Sequence, residues 1–261
     1  MMKRRLEPAA LVLVFCLGAS ALSADSVAVR YTEGVVRGFL VLRAPDGSVI
    51  ANGDSIQFAR AGRVTNRLVF HFRDGSLQDE TAVFTQRKQF QLVSDHLIQR
   101  GPSFPHPMEM SIDTASGRVT VRHRDGDKEQ VIEEQMELPP DLANGIVSTL
   151  VKNLAPDAVS VTVPMVVASP KPRLVKLLIT PAGVERLSAG RNAYKANRFN
   201  VKVEIGGIAG VVAPLLGKQP KDASVWIVRG VAPGFVASES QFYQDAPLWR
   251  IELAAPNFPK N

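Results

Sequence analysis

The feature that most narrows the fold is a period of two in the apolar residues. In Leu68-Val69-Phe70-His71-Phe72-Arg73, the side chains of Leu68, Phe70 and Phe72 fall on one side of an extended chain. At Arg118-Val119-Thr120-Val121-Arg122 valines alternate with polar groups. Turn residues punctuate these runs: Asp74-Gly75, Asp113 to Gly117 and Asp125-Gly126. A period of two buries one face and wets the other, the pattern of antiparallel sheets. The stretch from Asn66 to Arg122 therefore reads as half of a long meander.

The same reading extends both ways. Val27 to Arg43 predicts one long, bent strand or a pair, closed by the turn Pro45-Asp46-Gly47. Val49 to Ala59 and Val64 to Phe72 follow, joined at Ala61-Gly62, and Thr81 to Val93 predicts another pair. Three prolines between Gly101 and Pro107 make that segment a loop or a sheet edge. Strands resume at Met108 to Ile112 and at Val131 to Leu138.

Pro139-Pro140-Asp141 then opens the single expected helix, Asp141 to Asn153. Leu142, Ile146, Leu150 and Leu154 recur every four residues, with Asp141 as N-cap and Pro156 as the stop. Gly145 weakens it by about 1 kcal/mol relative to alanine, so packing must hold it.

Beyond the helix, strands are expected at Val159 to Val167, Leu174 to Thr180, Glu185 to Ser188, Tyr194 to Ile205, Val225 to Arg229 and Leu248 to Leu253. A short helix over Pro181 to Leu187, with Pro181 at its first position, is the alternative there. Gly206 to Gly217 is an uncharged apolar loop.

The first 24 residues predict a cleaved secretory leader: Lys3, Arg4 and Arg5, then an apolar core from Ala9 to Ala19, then a small-residue exit. Its apolar run is shorter than the roughly 20 residues a membrane span needs. Phe15 is too bulky for the residue before a lipidated Cys16. The mature chain is then one β-rich domain over residues 25–256 with a tail at 257–261, in the periplasm or secreted, without a transmembrane segment. Cys16 is the only cysteine, so the remaining 237 of 261 residues must rely on a hydrophobic core without disulfides. Loss of Lys3, Arg4, Arg5 and Glu7 takes 31 basic and 25 acidic side chains to 28 and 24, a charge of +4. Those charges are spread along the strands without the basic stripe of a nucleic-acid binder.

Little catalytic chemistry is legible. His71, His96, His106 and His123 are spaced 25, 10 and 17 residues apart, unlike a paired ligand motif. No GxSxG elbow is present, and Gly210 to Lys218 lacks the spacing and flanking elements of a phosphate loop. Asp79-Glu80 and Glu133-Glu134 are sequence neighbours, so on a strand each pair points to opposite faces. No metal or cofactor is expected.

The segment from Glu185-Arg186-Leu187-Ser188-Ala189-Gly190 through Ala193-Tyr194-Lys195 resembles the strand–Ala-Gly–strand hairpin of uncharacterised secreted bacterial β families, domains of unknown function. Val225-Trp226-Ile227-Val228 and Trp249-Arg250-Ile251-Glu252-Leu253 are similar to their closing strands. The resemblance implies an incomplete, curved β-barrel, loosely like the periplasmic lipoprotein carriers, and an envelope location.

The expectation is thus a mainly β protein, a curved antiparallel meander forming an incomplete or half barrel, with one inserted helix near 141–153. A greasy ligand, a lipid among the candidates, would sit in a pocket lined by Phe70, Phe72, Phe84, Phe90, Leu150, Trp226 and Trp249. The alternatives are an envelope protein–protein interaction module and, third, a hydrolase with an unrecognised site.

Overall fold

The computed structural model describes residues 26–125, 128–155, 157–168, 171–189, 192–206, 219–230 and 232–254. The expected leader and tail, Gly126 and Gly190 of two expected turns, and the apolar loop beyond Gly206 lie outside the described residues.

In chain order the strands are β1 (Val36–Arg43), β2 (Val49–Arg60), β3 (Arg63–Phe72), β4 (Leu77–Gln86), β5 (Phe90–Arg100), β6 (Met108–Asp113), β7 (Arg118–Asp125) and β8 (Lys128–Gln135). A helix, α1 (Val147–Asn153), follows. Then come β9 (Val161–Ala168), β10 (Pro172–Ala189), β11 (Asn192–Glu204), β12 (Ala223–Val228), β13 (Gly234–Ser240) and β14 (Trp249–Leu253). All fourteen form one antiparallel sheet in the order β8-β7-β6-β5-β4-β3-β2-β1-β14-β13-β12-β11-β10-β9. Consecutive strands pair throughout except at the helix, and the first and last strands meet in the middle of the sheet, Leu40 opposite Leu253. The sheet does not close: β8 and β9 are its edges. It is the expected curved meander.

Alternation sets the two faces. The concave face collects one parity of each strand, and two apolar clusters form on it. In the first, Phe84, Phe90, Ile112 and Val119 of one arm and Val163, Leu177, Ile179 and Phe199 of the other meet Leu142, Ile146, Leu150, Val151 and Leu154, which lie between them as a plug. The second cluster fills the opposite end with Leu40, Leu42, Phe70, Phe72, Phe104, Trp249 and Ile251. Its rings pack edge to face, with Phe104 and Phe72 centroids 5.3 Å apart and Phe242 and Trp249 5.0 Å apart. Gly53 lets the Phe70 ring lie against the β2 backbone; a Cβ there would be 2.5 Å from Phe70 Cδ1.

The plug is bonded to both arms. Asn144 mimics a strand: its Nδ2 donates to Val166 O and its Oδ1 accepts from Val166 N, each at 2.9 Å. Ala143 N donates to Pro164 O, and Leu92 N donates to Pro140 O on the other arm. Asn66 Nδ2 donates to Gly145 O at 3.2 Å. At the far end of α1 the buried Asn153 Oδ1 accepts the amides of Arg30 and Tyr31. Lys152 pairs with the buried Glu33 at 2.6 Å, and Glu33 also accepts from Gln57 Nε2. Thus residues 26–35 form a strap across the plug end of the half-barrel.

Several expectations change. The strand expected from Val27 begins only at Val36, because the strap spends its amides on Asn153, Lys88 and Gln86; one bridge, Ala28 to Gln89, remains. The helix starts at Val147 rather than Asp141, and its N-cap is Ile146. Gly145 at φ +66° breaks the helical path, while β9 claims Asn144. The strand expected at Glu185 to Ser188 is present and the alternative helix over Pro181 to Leu187 is not: a bulge between Pro181 and Val184, with Gly183 at φ +94°, carries β10 past the proline. The Thr81 to Val93 pair is β4 and β5, which begin earlier, at Leu77, and end later, at Arg100, and β13 was not expected at all.

Gly145→Ala tests the plug. The new Cβ would lie 2.6 Å from Ala82 Cβ and 2.9 Å from Asp95 Oδ1, at a φ that disfavours alanine. Urea unfolding should show a loss of about 2 kcal/mol or more. An unchanged midpoint would mean that the plug does not need this close approach.

Candidate functional site in the half-barrel interior

Strand register converts the alternation into cross-strand rows. One row on the concave face runs Leu40, Gly53, Phe70, Gln78 and Gln99 across β1 to β5, and every member is buried. Two residues along, the row Gly38, Ser55, Leu68, Glu80 and Leu97 keeps partial solvent contact at every position. Beyond it, Gln57, Ala82 and Asp95 are buried again. A row of partly exposed residues therefore crosses five strands on this face, between the aromatic end and the plug. It is small at Gly38 and Ser55, apolar at Leu68 and Leu97, and acidic at Glu80.

Glu80 and Asp95 are diagonal neighbours on this face, since Glu80 pairs with Leu97 and Ala82 pairs with Asp95. Asp95 is 2% exposed, and neither of its carboxylate oxygens has a hydrogen-bond partner. Burial, with the Glu80 charge adding to it, pushes the Asp95 carboxyl well above the usual range. Burial also raises Glu80 from 4.5 to about 7. Near neutral pH the pair then holds protons that isolated carboxyls would have lost. Burial thus favours the protonated, uncharged form of Asp95 over its carboxylate. One row away, Gln99 Nε2 donates to Gln78 Oε1 at 2.9 Å and to Phe242 O at 2.8 Å, linking this polar belt to the aromatic end.

The seven residues expected to line a pocket separate into three groups. Phe70, Phe72 and Trp249 lie in the aromatic end. Phe84, Phe90 and Leu150 lie in the plug cluster. Trp226 belongs to a third cluster, on the convex face, with Ala196 and Ala237. There Arg250 and Arg198 lie 4.7 and 5.6 Å from its ring centroid. Its Nε1 donates to Glu185 Oε2 at 2.8 Å, which with Arg198 holds that carboxyl below its usual range. Arg250 continues the ladder to Glu239 and Glu252, and Glu252 to Arg43. This ladder staples β10 to β1 from outside.

The histidines do not gather: His71 and His106 are exposed, His96 bonds Glu109 at 2.8 Å, and His123 faces inward with Nδ1 unpartnered. Among the described residues no three His, Cys, Asp or Glu side chains group as metal ligands.

Sequence reasoning weighed Glu80 only against its neighbour Asp79, which bonds Arg67 on the other face. Its real partner lies fifteen positions on. A bulge leaves Val93 unpaired between Ser94 and Leu92, and this shifts Asp95 onto the face of Phe90 and Leu92. Simple alternation from Phe90 would have pointed Asp95 outward.

Because the folded state raises the Glu80 pKa, it binds protons that the unfolded state releases between about pH 4.5 and 7. Stability is therefore greatest below that window and falls as pH rises through 7, by about 3 kcal/mol for a shift of this size. Thermal melts at pH 5 and pH 8 should show this loss in the wild type, and Glu80→Gln should reduce it, with the remainder belonging to the buried Asp95. Equal slopes would show that Glu80 is not held at a raised pKa.

No family model matches this chain, and no curated protein matches it. It is similar to two solved structures, each at 10% identity. One is a β-barrel-like protein of the domain of unknown function DUF1849 from Brucella abortus, with TM-score 0.46, covering 88% of this chain and 97% of that one. The other, from Bacteroides fragilis, is described as a candidate exported protein with a YmcC-like fold, with TM-score 0.34, covering 88% and 98%.

Proposed function

We propose that this chain is an exported, non-enzymatic protein of the cell envelope that binds an amphipathic molecule, lipids included, inside its half-barrel. The observation that carries this reading is the row from Gly38 to Leu97. It retains partial solvent contact along its whole length, while the row on the aromatic side is buried throughout and Gln57, Ala82 and Asp95 are buried on the other side. The apolar part of the ligand would lie along Leu68 and Leu97, with Phe70, Phe72 and Trp249 behind one wall and Phe84, Phe90 and Leu150 behind the other. Trp226 would brace the sheet from the convex side. The polar part would meet Glu80 and Asp95. The buried Asp95 carboxyl has no hydrogen-bonded side-chain partner, and a polar ligand group that accepts from its O–H or donates to its other oxygen would satisfy it.

An envelope protein–protein interaction module remains the second reading. It is favoured by the free edge β8, whose outward-facing backbone and half-exposed Val131 could accept another strand. The charged side chains along β8 oppose such pairing.

Native mass spectrometry of protein purified from its own host, followed by solvent extraction, separates these readings. A discrete mass that leaves on extraction, and whose occupancy falls about tenfold in Glu80→Ala, is the expected result. A protein that stays bare after incubation with envelope lipids would sink the carrier reading.

A further inference from the structure

The convex face carries a surface that the interior row does not explain. On β1 and β2, Phe39, Ile56 and Phe58 point outward and are 63%, 38% and 46% exposed. They share one face by register: Arg37 pairs with Ile56, and Asp54 with Phe39, so Phe39, Ile56 and Phe58 run diagonally toward the β2–β3 hairpin. Val35, 83% exposed, stands beside them at the start of β1. Soluble surfaces seldom group such side chains without a partner.

The charges around this apolar diagonal are mostly basic, although Asp54 stands opposite Phe39. No acidic residue occurs from Ser55 to Arg73 or from Thr81 to Ser94. At the hairpin tip Ala61 and Gly62, at φ +51° and +75°, form a tight turn that holds Arg60 and Arg63 side by side. The neighbouring β4–β5 turn brings up Arg87. Arg60, Arg63 and Arg87 line one open recess of about 280 Å³, with Gln86 and the turn backbone completing it. Arg37 lies 5.5 Å from the Phe39 ring centroid, so a further guanidinium is interleaved with the apolar group. Arg67 is committed elsewhere, its Nε and Nη2 donating to Oδ1 and Oδ2 of Asp79.

We propose that this end of the half-barrel docks on an anionic phospholipid surface. Arg60, Arg63 and Arg87 would receive lipid phosphates, while Phe58, Ile56 and Phe39 enter the boundary between headgroups and acyl chains. Guanidiniums suit phosphates because they offer paired donors. Apolar side chains beside cations are what an interfacial surface needs, since burial in the acyl boundary and attraction to anionic lipid add. Aliphatic Ile56 and Val35 favour hydrocarbon over nucleic acid, whose bases stack on rings. The plug and the strap lie at this same end. A molecule leaving the interior past them would emerge at the membrane, but the docking itself does not depend on the interior being filled.

The test is flotation of the leaderless protein with vesicles of phosphatidylcholine alone or with 30% phosphatidylglycerol. The expected result is binding to the anionic vesicles only, weakened by raising salt from 0.1 to 0.5 M. The triple variant Arg60→Glu, Arg63→Glu, Arg87→Glu should lose about a hundredfold or more, at roughly fivefold per cation. Phe58→Ser should weaken binding without changing its salt dependence. A charge-matched control, Arg122→Glu, Arg124→Glu, Arg173→Glu, should bind as wild type, and circular dichroism verifies that each variant folds. Three results would overturn the proposal: no binding to either vesicle, equal loss in the control triple, or tighter retention of a single-stranded oligonucleotide than of the vesicles. A bare protein by mass spectrometry would leave this surface standing, so the two readings fail separately.

Discussion

An open sheet must cover its own concave face. Fourteen antiparallel strands that do not close leave two edges and an apolar trough, and nothing in the strand ladder covers either. The segment 142–154 covers the trough and the β9 edge. Its apolar stripe fills the trough between the arms, while Asn144 and Ala143 supply β9 with bonding partners that another strand would otherwise give. Everything else at that end depends on this seating: Asn153 holds the strap, Lys152 holds Glu33, and Glu33 holds Gln57. A buried asparagine that satisfies both a donor and an acceptor specifies one register for the plug, because a shift by one residue would leave these groups unpaired.

Two kinds of polar group are buried in this molecule, and they differ in what surrounds them. Asn144, Asn153, Gln78 and Gln99 are bonded to protein, as structural groups are. Asp95 is not, although its neighbours could have been arranged to bond it. An unpaired buried carboxyl destabilises the fold and holds a proton there. Its position beside the partly exposed row from Gly38 to Leu97 joins that cost to a place where a ligand could relieve it. The convex ladder of Glu185, Arg198, Trp226, Arg250 and Glu252 shows the contrary arrangement, in which every charge meets an opposite charge or a ring.

How far this was legible depends on range along the chain. The strand Leu68 to Phe72 and its turn at Asp74-Gly75 were readable because alternation and turn chemistry are local. The helix was readable in kind but not in length, since the Gly145 conformation is imposed by Ala82 and Asp95, some sixty and fifty residues earlier. Strand β13 was invisible because Gly234 and the serines at 238 and 240 carry little strand signal, and its partners β12 and β14 define it instead. The pairing of Glu80 with Asp95 escaped because a single bulged residue reverses the facing of everything after it.

The sequence by itself determined the class of fold: a long antiparallel meander interrupted once by a helix, with alternation that forces one apolar face. It did so because a period of two and the residues that tolerate turns act over a few positions. Only the tertiary structure decided which residues share a row, so that Gly38, Ser55, Leu68, Glu80 and Leu97 became one partly exposed row and Trp226 left the interior for the opposite face. Register and curvature arise from pairing between distant strands, and no local pattern records the bulges that set them. The same holds for the basic and apolar rim, where residues nearly thirty positions apart, Arg60 and Arg87, become neighbours because two hairpins end at one height.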